Sequence, residues 1–154
     1  MIVLTTTDII IRVALAIGLG TVIGVERTLA GKTAGMRTYA MITLGSSLFV
    51  IISQIVISTL SSPLIASPLV LPAAIITGIG FIGAGMIILQ PDKIIGLTTA
   101  AGLWVTAGVG IACGFGLFTL ASIAAVAALF VFTLEWFAEG VFKRHSYKSG
   151  GKEK

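Results

Sequence analysis

The sequence predicts an all-α, polytopic transmembrane bundle of about five spans, with the N-terminus outside and the C-terminus cytoplasmic. Three observations carry that prediction. Hydrophobic residues make up 56% of the 154 and charged residues only 10%, against roughly 25% charged in an ordinary soluble domain. Apolar runs at about 8–25, 38–60, 70–89, 97–114 and 117–137 come close to the ~20 residues needed to cross a ~30 Å hydrocarbon core. Threading five spans also places nine of the ten Lys and Arg on one side, with only Arg12 opposite, and such an excess marks the cytoplasmic face.

The first span opens with TTTD, where Thr7 or Asp8 can cap the amides of the first turn. Asp8 and Arg12 stand four apart on one helix face and can pair. One reading is an interfacial ion pair that makes Arg12 tolerable near the membrane edge; a functional role stays open beside it. No basic stretch precedes the first apolar run and no cleavage pattern follows it, so no removable signal peptide is expected. The segment from Glu26 to Arg37, ERTLAGKTAGMR, holds three cations and reads as a loop. The second span leads into SSPLIASP, rich in serine and proline and without charge. Pro91, Asp92 and Lys93 break the pattern after the third span, and Gly114, Phe115 and Gly116 turn the fourth into the fifth. Trp136 and Phe137 are expected at the cytoplasmic interface, and Trp104, two turns into span four, is expected to pack between helices. Residues 1–140 thus form a transmembrane domain and residues 141–154 a basic cytoplasmic tail.

Thr77 to Gly114 is the densest stretch of glycine, alanine and threonine. Interior glycine costs a helix about 0.8–1.0 kcal/mol relative to alanine, but in a bilayer small side chains let backbones approach closely. Gly78, Gly80 and Gly83 match a dinucleotide fingerprint by letter. That motif needs a strand, a helix and a later acidic residue, whereas these glycines sit within one apolar run. Close packing is the better account: Gly80 with Ala84, Gly20 with Gly24 and Gly110 with Gly114 are pairs four apart, and Gly85 extends the run. AIGLGTVIG from Ala16 also resembles TGIGFIGAG from Thr77, so spans one and two can be laid over spans three and four as a parallel two-hairpin repeat. Chance similarity among glycine-rich apolar segments is the alternative.

The chemistry-bearing residues are few. No zinc-ligand cluster, phosphate-binding loop or nucleophile elbow is present, and His145 is the one histidine. Neither enzymatic activity, nor a cofactor, nor nucleic acid as a partner is expected. A single Cys113 excludes an internal disulfide. Six acidic residues exist and none falls mid-membrane, whereas a magnesium path is expected to offer several oxygen ligands; a metal site is left undetermined. The functional polar candidates are Arg12, Glu26, Arg27, Arg37, Thr38, Thr98 and Thr99, with Glu135 and Glu139 four apart near the inner end of span five. Their bland account is a solvated ion-pair cluster. The helix starts at Thr38 and at Thr98 with Thr99 would carry unpaired amides suited to an anion or to a carboxylate such as Glu26.

VERTLAGKTAGMRTYAMITLGSSL, GIGFIGAGMI and GLTTAAGLWVTAGVGIACGFG, in that order, resemble the membrane domain of the MgtC/SapB family from roughly Arg12 to Gly116. The resemblance places family positions at Arg12, Gly24, Glu26, Arg27, Gly35, Arg37, Thr38, Gly78, Gly80, Phe81, Gly83, Gly85, Gly96, Thr98, Thr99, Trp104 and Cys113. It implies a multi-pass protein of the bacterial inner membrane, linked to low-magnesium adaptation and to survival inside host cells. It also implies a homo-oligomer in the lipid bilayer with a membrane-protein partner such as ATP synthase. Two departures stand out. Many members carry Asp-Pro-x-Arg before the third span, where this chain has Ser67-Pro68-Leu69-Val70. Some add a soluble C-terminal domain, where this chain has a short basic tail. The function expected first is a non-enzymatic regulator; the alternatives are a transporter of magnesium or another small solute, and an oligomeric scaffold.

Overall fold

Helices α1 (Thr6–Leu29), α2 (Met36–Thr59), α3 (Val70–Met86), α4 (Leu97–Phe115) and α5 (Phe118–Ser149) make up the bundle, with a two-stranded hairpin, β1 (Ile88–Gln90) and β2 (Lys93–Ile95), between α3 and α4. The computed structural model describes residues 4–59 and 69–149, with side chains followed as far as Glu135. The serine- and proline-rich segment with Ser67 and Pro68, and the side chains of Trp136, Phe137, Glu139 and the basic tail, lie outside the described residues.

Four helices are long and apolar enough to cross a membrane: α1, α2, α4 and the Phe118–Glu135 part of α5. α3 is apolar with 17 residues, about 25 Å at 1.5 Å per residue and at the short limit for a span. The helical membrane bundle expected from the sequence is therefore present.

Each helix end has a local cause. α1 starts with a capping box: the Thr5 hydroxyl accepts from the Asp8 amide at 3.2 Å, and the Asp8 carboxylate accepts from the Thr5 amide at 3.0 Å. α1 and α4 end alike. Gly31 and Gly116 adopt positive φ, and the next amides reach back, Lys32 to the Arg27 carbonyl at 3.0 Å and Leu117 to the Ala112 carbonyl at 2.9 Å. This is the Schellman arrangement, which satisfies carbonyls that a helix end otherwise orphans.

One expected boundary is corrected. The third span was expected to run to Leu89, but α3 stops at Met86, and the polar break is the turn of a hairpin in which Ile88 pairs with Ile95, Leu89 with Ile94 and Gln90 with Lys93. β-branched isoleucines suit a strand as well as an apolar span, and Pro91-Asp92 supplies the turn. The fifth span, expected at about 117–137, matches the apolar Phe118–Glu135 part of α5, and the helix itself continues to Ser149. Residue 137 is where the apolar pattern stops, and no proline lies beyond it to stop the helix.

α4 contacts all four other helices and has 61% of its spanning window buried, against 22–33% for the other long helices. A central helix needs small residues on several faces, which explains why the glycine- and threonine-rich sequence falls there. A Cβ on Gly110 would lie 2.5 Å from the Thr43 carbonyl oxygen, and one on Gly114 would lie 2.6 Å from Val50 Cβ. On the other side of α2, a Cβ on Gly20 would overlap the Thr43 side chain and one on Gly24 would sit 2.5 Å from Met36 Cα. α2 is thus held between α1 and α4 at backbone distance. Trp104, expected between helices, is instead 54% exposed: lipid tails are as apolar as leucine, so an outward aromatic costs nothing there.

Candidate functional site

At the end of the bundle that carries the α1–α2 connection, the last turn of α1 places Glu26 and Arg27 side by side. The Arg27 side chain is fully buried, so its charge must be matched inside the protein. Its guanidinium donates from Nε and Nη2 to the two oxygens of Glu26, the latter at 2.8 Å. Nη1 donates to Glu135 of α5 at 3.3 Å and Nη2 to the Phe132 carbonyl at 3.4 Å. The cation also stands 3.7 Å from the centre of the Phe132 ring, well inside the ~6 Å range of a cation–π contact.

Lys32 joins the cluster through the turn at Gly31. Its ammonium donates to the second oxygen of Glu135 at 3.3 Å. The Thr28 hydroxyl bridges α1 to α2, donating to the Gly24 carbonyl and accepting from the Met36 amide, both at 3.0 Å. A Cβ on Gly35 would overlap that hydroxyl, which accounts for glycine at this position. Tyr39 lies beneath, fully buried, with its hydroxyl against Gly102 of α4; a Cβ there would come 2.5 Å from the Tyr39 oxygen and 2.6 Å from Phe132 Cζ.

Beside the cluster opens a cavity of about 310 Å³ lined by Gly31, Lys32, Thr33, Glu135 and the Ile94–Thr99 stretch. Thr98 is exposed at its mouth and Thr99 is buried. Gly96 adopts positive φ, and a Cβ on it would collide with the Met86 carbonyl.

Arg12 sits at the opposite end. It was expected to pair with Asp8, but it donates to Gln54 and to the Gly114 carbonyl, both at 2.6 Å. Asp8 is spent on the capping box, and the last carbonyls of α4 offer a negative helix end that a guanidinium complements.

The sequence-derived polar residues therefore separate. Glu26 and Arg27 meet in one cluster, Thr98 and Thr99 line the cavity next to it, and Arg12 serves the far end. Arg37 and Thr38 are exposed on the first turn of α2 and make no side-chain bond among the described residues. Of the packing glycines, Gly20, Gly24, Gly110 and Gly114 face neighbouring helices closely and Gly83 meets Ala100 at 3.6 Å, whereas Gly78, Gly80 and Gly85 have nothing within 4 Å of a Cβ position. Cys113 is fully buried and Phe81 is 84% exposed. Glu135, expected with Glu139 among the polar candidates, joins the cluster, whereas Lys32, Phe132, Gln54 and Gly102 are not singled out as site residues by the sequence. The available signal was an acidic residue at the C-terminal end of the fifth apolar run and an arginine at the C-terminal end of the first.

The MgtC family model matches residues 13–140. YhiD of Escherichia coli, named as a candidate magnesium transporter, is 41% identical over 140 residues, covering 90% of this chain and 64% of that protein. Protein MgtC of Brucella abortus is 41% identical over 108 residues, covering 70% of this chain and 43% of its own length. Protein MgtC of Salmonella typhimurium is 40% identical over 120 residues, covering 78% and 49%. The chain thus spans less than two thirds of the length of these relatives. No solved structure matches it.

Proposed function

This chain belongs to the MgtC family, and we propose that it is a non-enzymatic regulator in the bacterial inner membrane, linked to magnesium homeostasis. It acts through helix contacts with a membrane-protein partner, such as ATP synthase, or with further copies of itself, and the charged cluster faces the cytoplasm.

The observation that carries this reading is how the acidic side chains are used. Both oxygens of Glu26 take Arg27, and those of Glu135 take Arg27 and Lys32. Asp8 is committed to its cap. A magnesium path calls for oxygen ligands open to the ion, whereas the carboxylates of Glu26 and Glu135 are matched by cations and that of Asp8 by Thr5. The cluster ties α1, the α1–α2 turn and α5 together, as a latch does, and leaves the outer helix faces for recognition.

A second reading, a transporter of magnesium or another small solute, is favoured by the cavity between Glu135, Thr98 and Thr99 and by the name of the Escherichia coli relative. Reconstitution in sealed liposomes separates the two. The regulator reading expects no magnesium flux above protein-free vesicles. Saturable flux abolished by Glu26→Gln would overturn it in favour of transport.

A further inference from the structure

The cavity beside the charged cluster is built around the open start of α4. That helix has 19 residues, its cap Gly96 offers no side-chain acceptor, and its first internal bond runs from the Ala100 amide to the Gly96 carbonyl at 2.8 Å. The amides of Leu97, Thr98 and Thr99 have no acceptor among the described residues. An independent feature points to a ligand: Thr99 lines the cavity, is 3% exposed, and its hydroxyl has no hydrogen-bond partner among the described residues. The other threonines buried in the bundle spend theirs on the preceding turn, Thr106 on the Gly102 carbonyl at 2.7 Å and Thr43 on the Ala40 carbonyl at 2.9 Å. For Thr99 the residue four back is Ile95, in a strand, so the usual helical back-bond is not offered.

We propose that this pocket is an oxyanion site that takes a phosphate group, supplied by a phospholipid headgroup at the membrane interface or by free phosphate. Leu97, Thr98 and Thr99, whose amides and threonine hydroxyls are donors, line the space, as does Lys32, whose ammonium donates to Glu135. The formal charges of Arg27, Lys32, Glu26 and Glu135 cancel among themselves, and the helix end adds the equivalent of about half a positive charge. A cation would meet donors and a Glu135 carboxylate that already accepts from two cations. The volume, about 310 Å³, equals roughly ten waters at about 30 Å³ each, which is room for a phosphate group. The assignment is independent of whether the protein regulates or transports.

The test uses the full chain in nanodiscs of phosphatidylcholine, titrated with inorganic phosphate and followed by calorimetry and by amide NMR shifts. A second arm uses nanodiscs containing phosphatidylglycerol, with retained lipid read by native mass spectrometry. Free phosphate as ligand gives saturable binding in the first arm, with shifts centred on Leu97–Thr99. A lipid headgroup gives retained phosphatidylglycerol and the same shifts in the second. Thr99→Val, nearly isosteric, weakens either by about tenfold or more, the share of one hydrogen bond to a charged group. Three results would overturn the proposal: neither ligand shifting these amides in the wild type, Thr99→Val binding as tightly as wild type, or magnesium chloride alone reproducing the shifts.

Discussion

Removing the carboxylates around Arg27 is expected to cost more than removing Arg27 itself, and the asymmetry follows from burial. The Arg27 side chain is fully buried, while those of Glu26 and Glu135 are 16% and 25% exposed. The double substitution Glu26→Gln/Glu135→Gln strands a cation with no water to return to, a situation worth about 3–5 kcal/mol. Arg27→Met leaves two carboxylates that reach solvent and forfeits mainly the contact with Phe132, on the order of 1–2 kcal/mol. At roughly 2–4 °C per kcal/mol for a chain of this size, the double variant should melt on the order of 6–20 °C below wild type and Arg27→Met about 2–8 °C below. Adding Arg27→Met to the double variant should then raise its Tm. The assay is thermal unfolding in one detergent, with helix content followed by circular dichroism. If Arg27→Met melts lower than the double variant, or the triple variant melts lower still, burial of the guanidinium is not what makes the cluster stabilising.

Three further outcomes are expected. Gly102→Ala drives a methyl against Tyr39 and Phe132 and should destabilise the fold by about 1–3 kcal/mol, the usual cost of overpacking; Gly80→Leu meets nothing within 4 Å and should leave the same unfolding curve unchanged while altering assembly by size-exclusion light scattering. An unchanged melt for Gly102→Ala would show that the Tyr39–Phe132 contact is loose. In a Cys113→Ala background, Thr33→Cys and Leu117→Cys should label from opposite sides of intact spheroplasts, Thr33 only after permeabilisation; equal labelling of both would refute the orientation drawn from the Lys and Arg count.

What the sequence made legible were features whose cause is local. The start of α1 within TTTD and the glycines four apart depend only on nearby spacing, because residues four apart share a helix face; the cap itself, expected at Thr7 or Asp8, falls on Thr5, with Asp8 three residues inside returning the bond. What stayed hidden depends on contacts between distant segments. Arg27 and Glu135 are 108 residues apart, and nothing near Gly102 reveals that Tyr39 and Phe132 converge on it. Trp104 went astray because apolarity does not separate a lipid-facing position from a helix interface. The hairpin went unseen because isoleucines on both sides of Pro91-Asp92 continue the apolar run, and only pairing across the turn makes them strands.

The glycines of α3 give the proposed partner contact its physical footing. Gly78, Gly80 and Gly85 are exposed, and a Cβ on any of them would meet nothing within 4 Å among the described residues, yet each costs its helix about 0.8–1.0 kcal/mol relative to alanine, some 2–3 kcal/mol together. Against lipid that cost has no return, since a longer apolar side chain would sit there equally well and favour the helix more. It is offset where a second helix comes close enough for backbones to touch, because dispersion contact between such surfaces drives association in a bilayer. Gly20 and Gly24 of α1 and Gly110 and Gly114 of α4 meet that condition inside the chain, against α2. On the regulator reading those of α3 meet it outside, against another helix, while the charged residues are used to hold the bundle that presents them.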